Sequence, residues 1–175
     1  MNIKPQAARL GAFVVSGEGM IFYCPNCWKE VPDDKQACPR CGESPSSWDG
    51  KKYSDKLIEA LAHPEPETQS RAVYLLGEKK IREAADTLVA LFRQSVNPFL
   101  QSEVVEALGK IGAMRTIPFM MTALRHPSFI VRGAAVKALA RFPKNDQIEA
   151  ALKRAFKDPS NYVRDLAKAA LRVSE

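Results

Sequence analysis

The chain lacks any apolar run long enough to span a bilayer; the longest, such as Gly11 to Val15, is a stub. Its N-terminus, MNIKPQAARLGAFVV, has two early basic residues but no full apolar stretch and no convincing cleavage site. No signal peptide and a cytoplasmic protein are therefore expected. Histidine is nearly absent, with only His63 and His126 in 175 residues, so no Ser/His/Asp or Cys/His set for nucleophilic catalysis is visible. Glycine is sparse as well. Its nine copies fall in turns, at helix ends (Gly77, Gly109, Gly112) or, at Gly133, inside a helix, and none builds a phosphate-cradling loop. Cysteine is missing from everything after residue 41.

All four cysteines lie in the stretch FYCPNCWKEVPDDKQACPRCGES, which runs from Phe22 to Ser44. Two Cys-x-x-Cys pairs in a chain without an export signal point to metal ligands before disulfides. The set Cys24, Cys27, Cys38 and Cys41 has the pattern C-x2-C-x10-C-x2-C. Each pair can fold as a tight turn offering two sulfurs, and two such turns close a tetrahedron about 2.3 Å from one ion. Pro25 and Pro39 pre-set the turns, and Gly42 supplies the positive φ that lets backbone N–H groups approach sulfur. Pro32-Asp33-Asp34 is a turn signal that would double the spacer back as a hairpin. A redox pair is expected beside a βαβ pattern, which the chain lacks.

The segment from about 20 to 44 resembles a zinc ribbon of the short (F/Y)CPxCG…CPxCG type. The resemblance implies one structural zinc ion, with iron in a rubredoxin-like site as the alternative for the same ligands. Four thiolates leave no open position, so the site would organise and not catalyse. Some 25 residues bury too little to fold unaided, and metal binding can supply the deficit. Trp28 stands where the family has glycine. A less regular first knuckle is expected there, with Trp28 packing on the module or docking elsewhere.

Beyond a linker at 45–52 the chain repeats. Leu76, Leu108, Leu139 and Leu171 are spaced by 32, 31 and 32 residues. Seven positions before them stand Gln69, Gln101, Arg132 and Arg164; thirteen before stand His63, Ser95, His126 and Asp158. Fifteen before stand Leu61, Arg93, Leu124 and Phe156. Each unit would hold a first helix, a turn marked by Pro64, Pro98, Pro127 or Pro159, and a second helix. The two histidines share one turn position, so they read as turn residues in place of aspartate and not as catalysts. Such units bury their apolar faces only by stacking.

Tetratricopeptide and ankyrin signatures are absent. The lines HPSFIVRGAAVKALARF and DPSNYVRDLAKAALRV instead resemble the short HEAT-like repeat associated with phycobilin lyases. That resemblance implies an all-α, right-handed α-α superhelix of about four helix pairs at 53–81, 82–112, 113–143 and 144–175. A small β-hairpin zinc ribbon (20–44) and an N-terminal arm (1–19) precede it. It implies that a turn aspartate partners the arginine six residues on, a pairing that Asp158 and Arg164 fit and that His126 and Arg132 lack. It also implies a concave face lined by the second helices, and there Tyr74, Glu106, Lys110, Lys137 and Arg141 are the candidate partner-binding residues.

Charge is unevenly spread. Residues 1–52 carry 7 basic and 6 acidic side chains, 53–112 carry 7 and 9, and 113–175 carry 12 and 5. The basic rear could steer a polyanion or an acidic partner, yet the expected inner face is mixed in sign and poor in aromatics. Three functions are thus open: a non-catalytic scaffold binding a protein partner, a nucleic-acid-associated protein, and a lyase-like or base-processing enzyme implied by the resemblance alone. No membrane role is expected, and no catalytic or cofactor-binding residues are singled out.

Overall fold

A computed structural model describes residues 14–16, 19–24, 26–31, 37–43 and 50–172. Most of the N-terminal arm, the Pro32-Asp33-Asp34 spacer turn and linker residues 45–49 lie outside the described residues. At the front, β1 (Val14–Ser16) pairs antiparallel with β2 (Gly19–Tyr23), Val15 opposite Met20. Then β2 pairs with β3 (Glu30–Val31), Phe22 opposite Val31. Buried Val31 joins Cys24 and Cys38 in a small core of its own.

The rest is helix. The elements are α1 (Tyr53–Glu59), α2 (Pro66–Glu78), α3 (Ala85–Gln94), α4 (Pro98–Ile111), α5 (Ile117–Ala123), α6 (Phe129–Leu139), α7 (Asp146–Arg154) and α8 (Asn161–Arg172). Each odd helix packs on the even helix that follows, and the even helices stack in the order α2, α4, α6, α8. This is an all-α solenoid of helix pairs. One continuous core runs through it from Leu57 to Ala167 and includes Leu76, Leu108 and Leu139.

Local chemistry sets the ends. Pro66 and Pro98 open α2 and α4, where the missing N–H has no bond to lose. Asn97 accepts from Phe99 N and Asn145 from Ile148 N, capping α4 and α7. Gly112 ends α4 at φ 69°, a left-handed stop that favours glycine.

The even helices touch closely because small residues face each other. A Cβ on Gly77 would lie 2.9 Å from Ala107 Cα, and one on Gly109 would lie 2.7 Å from Ala138 Cα. The obstacles are backbone atoms, which cannot swing away. One position departs from the repeat pattern: Arg93, aligned with Leu61, Leu124 and Phe156, is exposed. The neighbouring Phe92 packs on the core instead, edge-on to Phe119 at 4.9 Å. Helix α3 runs to Gln94, and this longer reach shifts the apolar face by one residue.

Candidate metal centre and the face of the second helices

The two Cys-x-x-Cys turns are built alike. Cys24 N donates to Lys29 O at 2.8 Å and Trp28 N to Cys24 O at 2.9 Å; Cys38 N donates to Glu43 O at 2.9 Å and Gly42 N to Cys38 O at 2.8 Å. Both turns need a left-handed residue four positions after the first cysteine. Gly42 takes it at φ 72° and Trp28 at φ 55°. The irregular first knuckle expected from tryptophan is therefore not found: backbone hydrogen bonds hold Trp28 in the glycine conformation, at a cost of about 1–2 kcal/mol for a residue with a Cβ.

The turns bring the four sulfurs together. Cys24 Sγ lies 3.5 Å from Cys41 Sγ, Cys27 Sγ lies 3.6 Å from Cys38 Sγ, and all four lie within 4.8 Å of one another. Metal–sulfur bonds of about 2.3 Å in a tetrahedron require sulfur–sulfur edges of about 3.8 Å. The cluster fits one ion. Burial pushes the Cys24 thiol up to about 12. Burial also acts against Cys38, but the backbone N–H groups of Arg40 and Cys41 and the thiols of Cys27 and Cys24 outweigh it, bringing Cys38 down to about 6. The backbone N–H of Lys29 lowers the Cys27 thiol, but burial and the thiols of Cys38 and Cys41 together outweigh it, so that thiol is raised. A bound cation would favour the thiolate form of the raised thiols Cys24 and Cys27.

Trp28 points from this module to the solenoid. Its ring meets His63 edge-on at 4.7 Å between centroids. His63 is buried in the turn between α1 and α2, and burial lowers its pKa, so the ring stays neutral.

The turn position of His63 recurs in every pair with one geometry. His63 Nδ1 accepts from Glu65 N, Ser95 Oγ from Asn97 N, His126 Nδ1 from Ser128 N, and Asp158 Oδ1 from Ser160 N, at 2.8–3.1 Å. Each side chain bonds the backbone two residues on, the work of an Asx-type turn. The residue six further on braces the same turn. Gln69 donates to Leu61 O, Gln101 to Phe92 O and Ser95 O, Arg132 to His126 O and Pro127 O, and Arg164 to Asp158 O and Pro159 O. Asp158 and Arg164 are partnered as expected, though through the Asp158 backbone. Arg164 donates to the Asp158 carbonyl, while the carboxylate takes a two-pronged pair from Arg132 of the preceding unit, at 2.7 and 2.9 Å. The acid that Arg132 lacks in its own turn is supplied by the next turn along. The Arg132 hydrogen bond holds the Asp158 carboxyl below its ordinary value.

The five candidate surface residues, Tyr74, Glu106, Lys110, Lys137 and Arg141, come from α2, α4, α6 and the residue pair after α6. The structure commits most of them to each other. Lys110 Nζ pairs with Glu78 at 2.7 Å and lies 5.1 Å from the Tyr74 ring; Lys137 Nζ pairs with Glu106 at 3.3 Å and lies 5.8 Å from the Tyr162 ring. The Lys110 bond lowers the Glu78 carboxyl, and Tyr162 followed by Glu106 raises Lys137. Sequence reasoning missed Tyr162, which fills the space left by Gly133: a Cβ there would lie 2.5 Å from the Tyr162 ring. A signal was available. Glu78 and Lys110 are 32 residues apart and Glu106 and Lys137 are 31 apart, each one repeat period.

The stacked pairs and the braced turns define an α-solenoid whose front carries a four-thiol cluster. A family model for HEAT repeats matches residues 54–122 and 100–172, so this chain belongs to the HEAT-repeat family. No curated protein sequence matches it significantly. Among solved structures, an engineered protein is similar over 69% of this chain, with 23% identity and a TM-score of 0.53. The match spans 62% of that engineered chain, less than two thirds of its length. The complex of CpcE and CpcF of phycocyanin lyase from Nostoc sp. PCC7120 is similar over 80% of this chain and 69% of its own, at 18% identity and a TM-score of 0.50. At such identities the likeness is one of fold. No helix among the described residues is long and apolar enough to cross a membrane.

Proposed function

We propose that the protein is a non-catalytic scaffold that binds a protein partner on the face of its second helices, with a structural zinc ribbon closing the N-terminal end of a right-handed solenoid. The observation that carries this reading is the contact of Trp28 with His63. A residue kept in a glycine conformation, with its ring on the first turn of the solenoid, makes the cysteine module a terminal cap. Terminal units of solenoids need such a cover because one of their faces has no neighbour.

The four units at 53–81, 82–112, 113–143 and 144–175 then form a single platform. Zinc suits the closed four-thiolate set, with iron as the other ion that takes these ligands. A cytoplasmic location agrees with reduced cysteines. Two histidines engaged in turns supply no base beside a nucleophile, which favours binding over the lyase-like reading. The lyase neighbour is itself a complex of two proteins, in keeping with assembly as the use of this fold.

Cross-linking and affinity purification of the full chain test the reading. A stable partner is expected, lost when Lys137→Glu and Arg141→Glu are combined. Elemental analysis should find one zinc per chain in the parent and none in Cys38→Ser. Retention on an oligonucleotide with steep salt dependence, and no protein partner, would favour the nucleic-acid reading instead.

A further inference from the structure

The trough between α2 and α4 is polarised along its length. At the end where these helices stop, an open cavity of about 780 Å³ is lined by Lys80, Arg82, Lys110 and Arg141 with Glu78 as its single carboxylate. Glu78 is already paired with Lys110, and Arg141 adds to the field upon it. Lys80, Arg82 and Arg141 are exposed and form no ion pair among the described residues. On the other side of Lys110 a smaller depression of about 100 Å³ continues to Tyr74, Ser70, Glu103 and Glu106.

Cations at helix C-termini have an ordinary explanation in the helix dipole. Its size decides against that explanation as sufficient. Four cations and one carboxylate leave three positive charges. The C-termini of α2, α4 and α6 offset about half a charge each, which leaves roughly one and a half uncompensated. Arg82, at the start of the turn before α3, is not at a helix C-terminus at all.

We infer that this trough binds an acidic peptide segment of the partner, its carboxylates at Lys80, Arg82 and Arg141 and an apolar side chain against Tyr74. The assignment rests on the scaffold reading and names the partner's chemistry. A peptide fits where a nucleic acid does not. A polyanion following the trough would run from the cations into Glu103 and Glu106, whereas a peptide can end its acidic run at Tyr74, half of whose surface is open at 54%.

Fluorescence anisotropy of the full chain with a labelled decapeptide of glutamates carrying one phenylalanine tests it. Saturable binding is expected, weakened about tenfold by Arg82→Glu combined with Arg141→Glu. The double change Lys153→Glu with Lys157→Glu alters net charge equally in the last helix pair, outside the residues lining the trough, and should shift affinity by no more than about twofold. Arg82→Gln with Arg141→Gln should weaken binding in the same direction but less, which guards against a misfolded reversal. Absence of binding, equal loss in both reversals, or tighter binding of an oligothymidylate lost through the same arginines would overturn the assignment. A captured protein partner with a silent acidic peptide would overturn this assignment and leave the scaffold standing; peptide binding with no partner recovered would support the trough and undo the scaffold.

Discussion

Trp28 shows how a residue can be read from a broken pattern while its conformation cannot. The sequence marks the site by placing tryptophan where glycine is expected, yet only the paired knuckle geometry reveals φ 55° held by regular hydrogen bonds. Trp28→Gly separates two effects. It relieves about 1 kcal/mol of backbone strain and removes a ring contact and buried area worth about 2 kcal/mol. A net loss of about 1 kcal/mol in denaturant unfolding is expected; a gain in stability would mean that the His63 contact contributes nothing. Asp158 gives a second residue-scale test. Its two-pronged pair with Arg132 is mostly shielded, with side-chain exposures of 8% and 13%, and Asp158→Ala should cost about 2 kcal/mol. Because the folded pKa is depressed, this stability is present above about pH 4 and is lost as pH falls through the folded value. The gap between parent and variant should therefore narrow on acidification, and an unchanged gap at the lowest pH would assign the loss to packing.

At the scale of the element, helix pairs were legible because their period is. Four leucines at a spacing of 31–32 residues place four second helices, and the turn side chains thirteen positions earlier place the connections. The two histidines take the turn position that the repeat assigns them, since an imidazole nitrogen, a hydroxyl and a carboxylate each accept one N–H bond. What the period hides is contact across it. The Arg132–Asp158 pair joins different units, and sequence alone offers each arginine its own turn first. Phe92 for Arg93 is a shift of one residue, below what a repeat alignment can resolve. Close stacking is also a matter of pairs: Gly109 has meaning only opposite Ala138. Gly109→Val should force α4 and α6 apart and cost about 2–3 kcal/mol, whereas Gly112→Ala strains one left-handed residue and should cost about 1 kcal/mol. Thermal melts of the two variants check the order; the reverse order would mean that the helices can separate freely.

The whole molecule joins two modules of different physics. The solenoid is held by a continuous apolar core, while the front gathers four sulfurs within 4.8 Å of one another that could hold a metal ion. The cysteine spacing announced the four-thiol cluster, but not that the tryptophan beside it would reach the first turn of the repeats. Nor did the charge count reveal that the ladder of Glu78–Lys110 and Glu106–Lys137 neutralises the middle of the face and leaves cations at its edge. In the proposed arrangement the metal-bound module caps the first helix pair of the solenoid. Amide hydrogen exchange of the full chain, with metal bound and after chelation, provides the test. Metal removal should raise exchange in α1, the His63 turn and the start of α2 while α6 and α8 keep their protection. Equal protection of the first helix pair in both states would contradict the account.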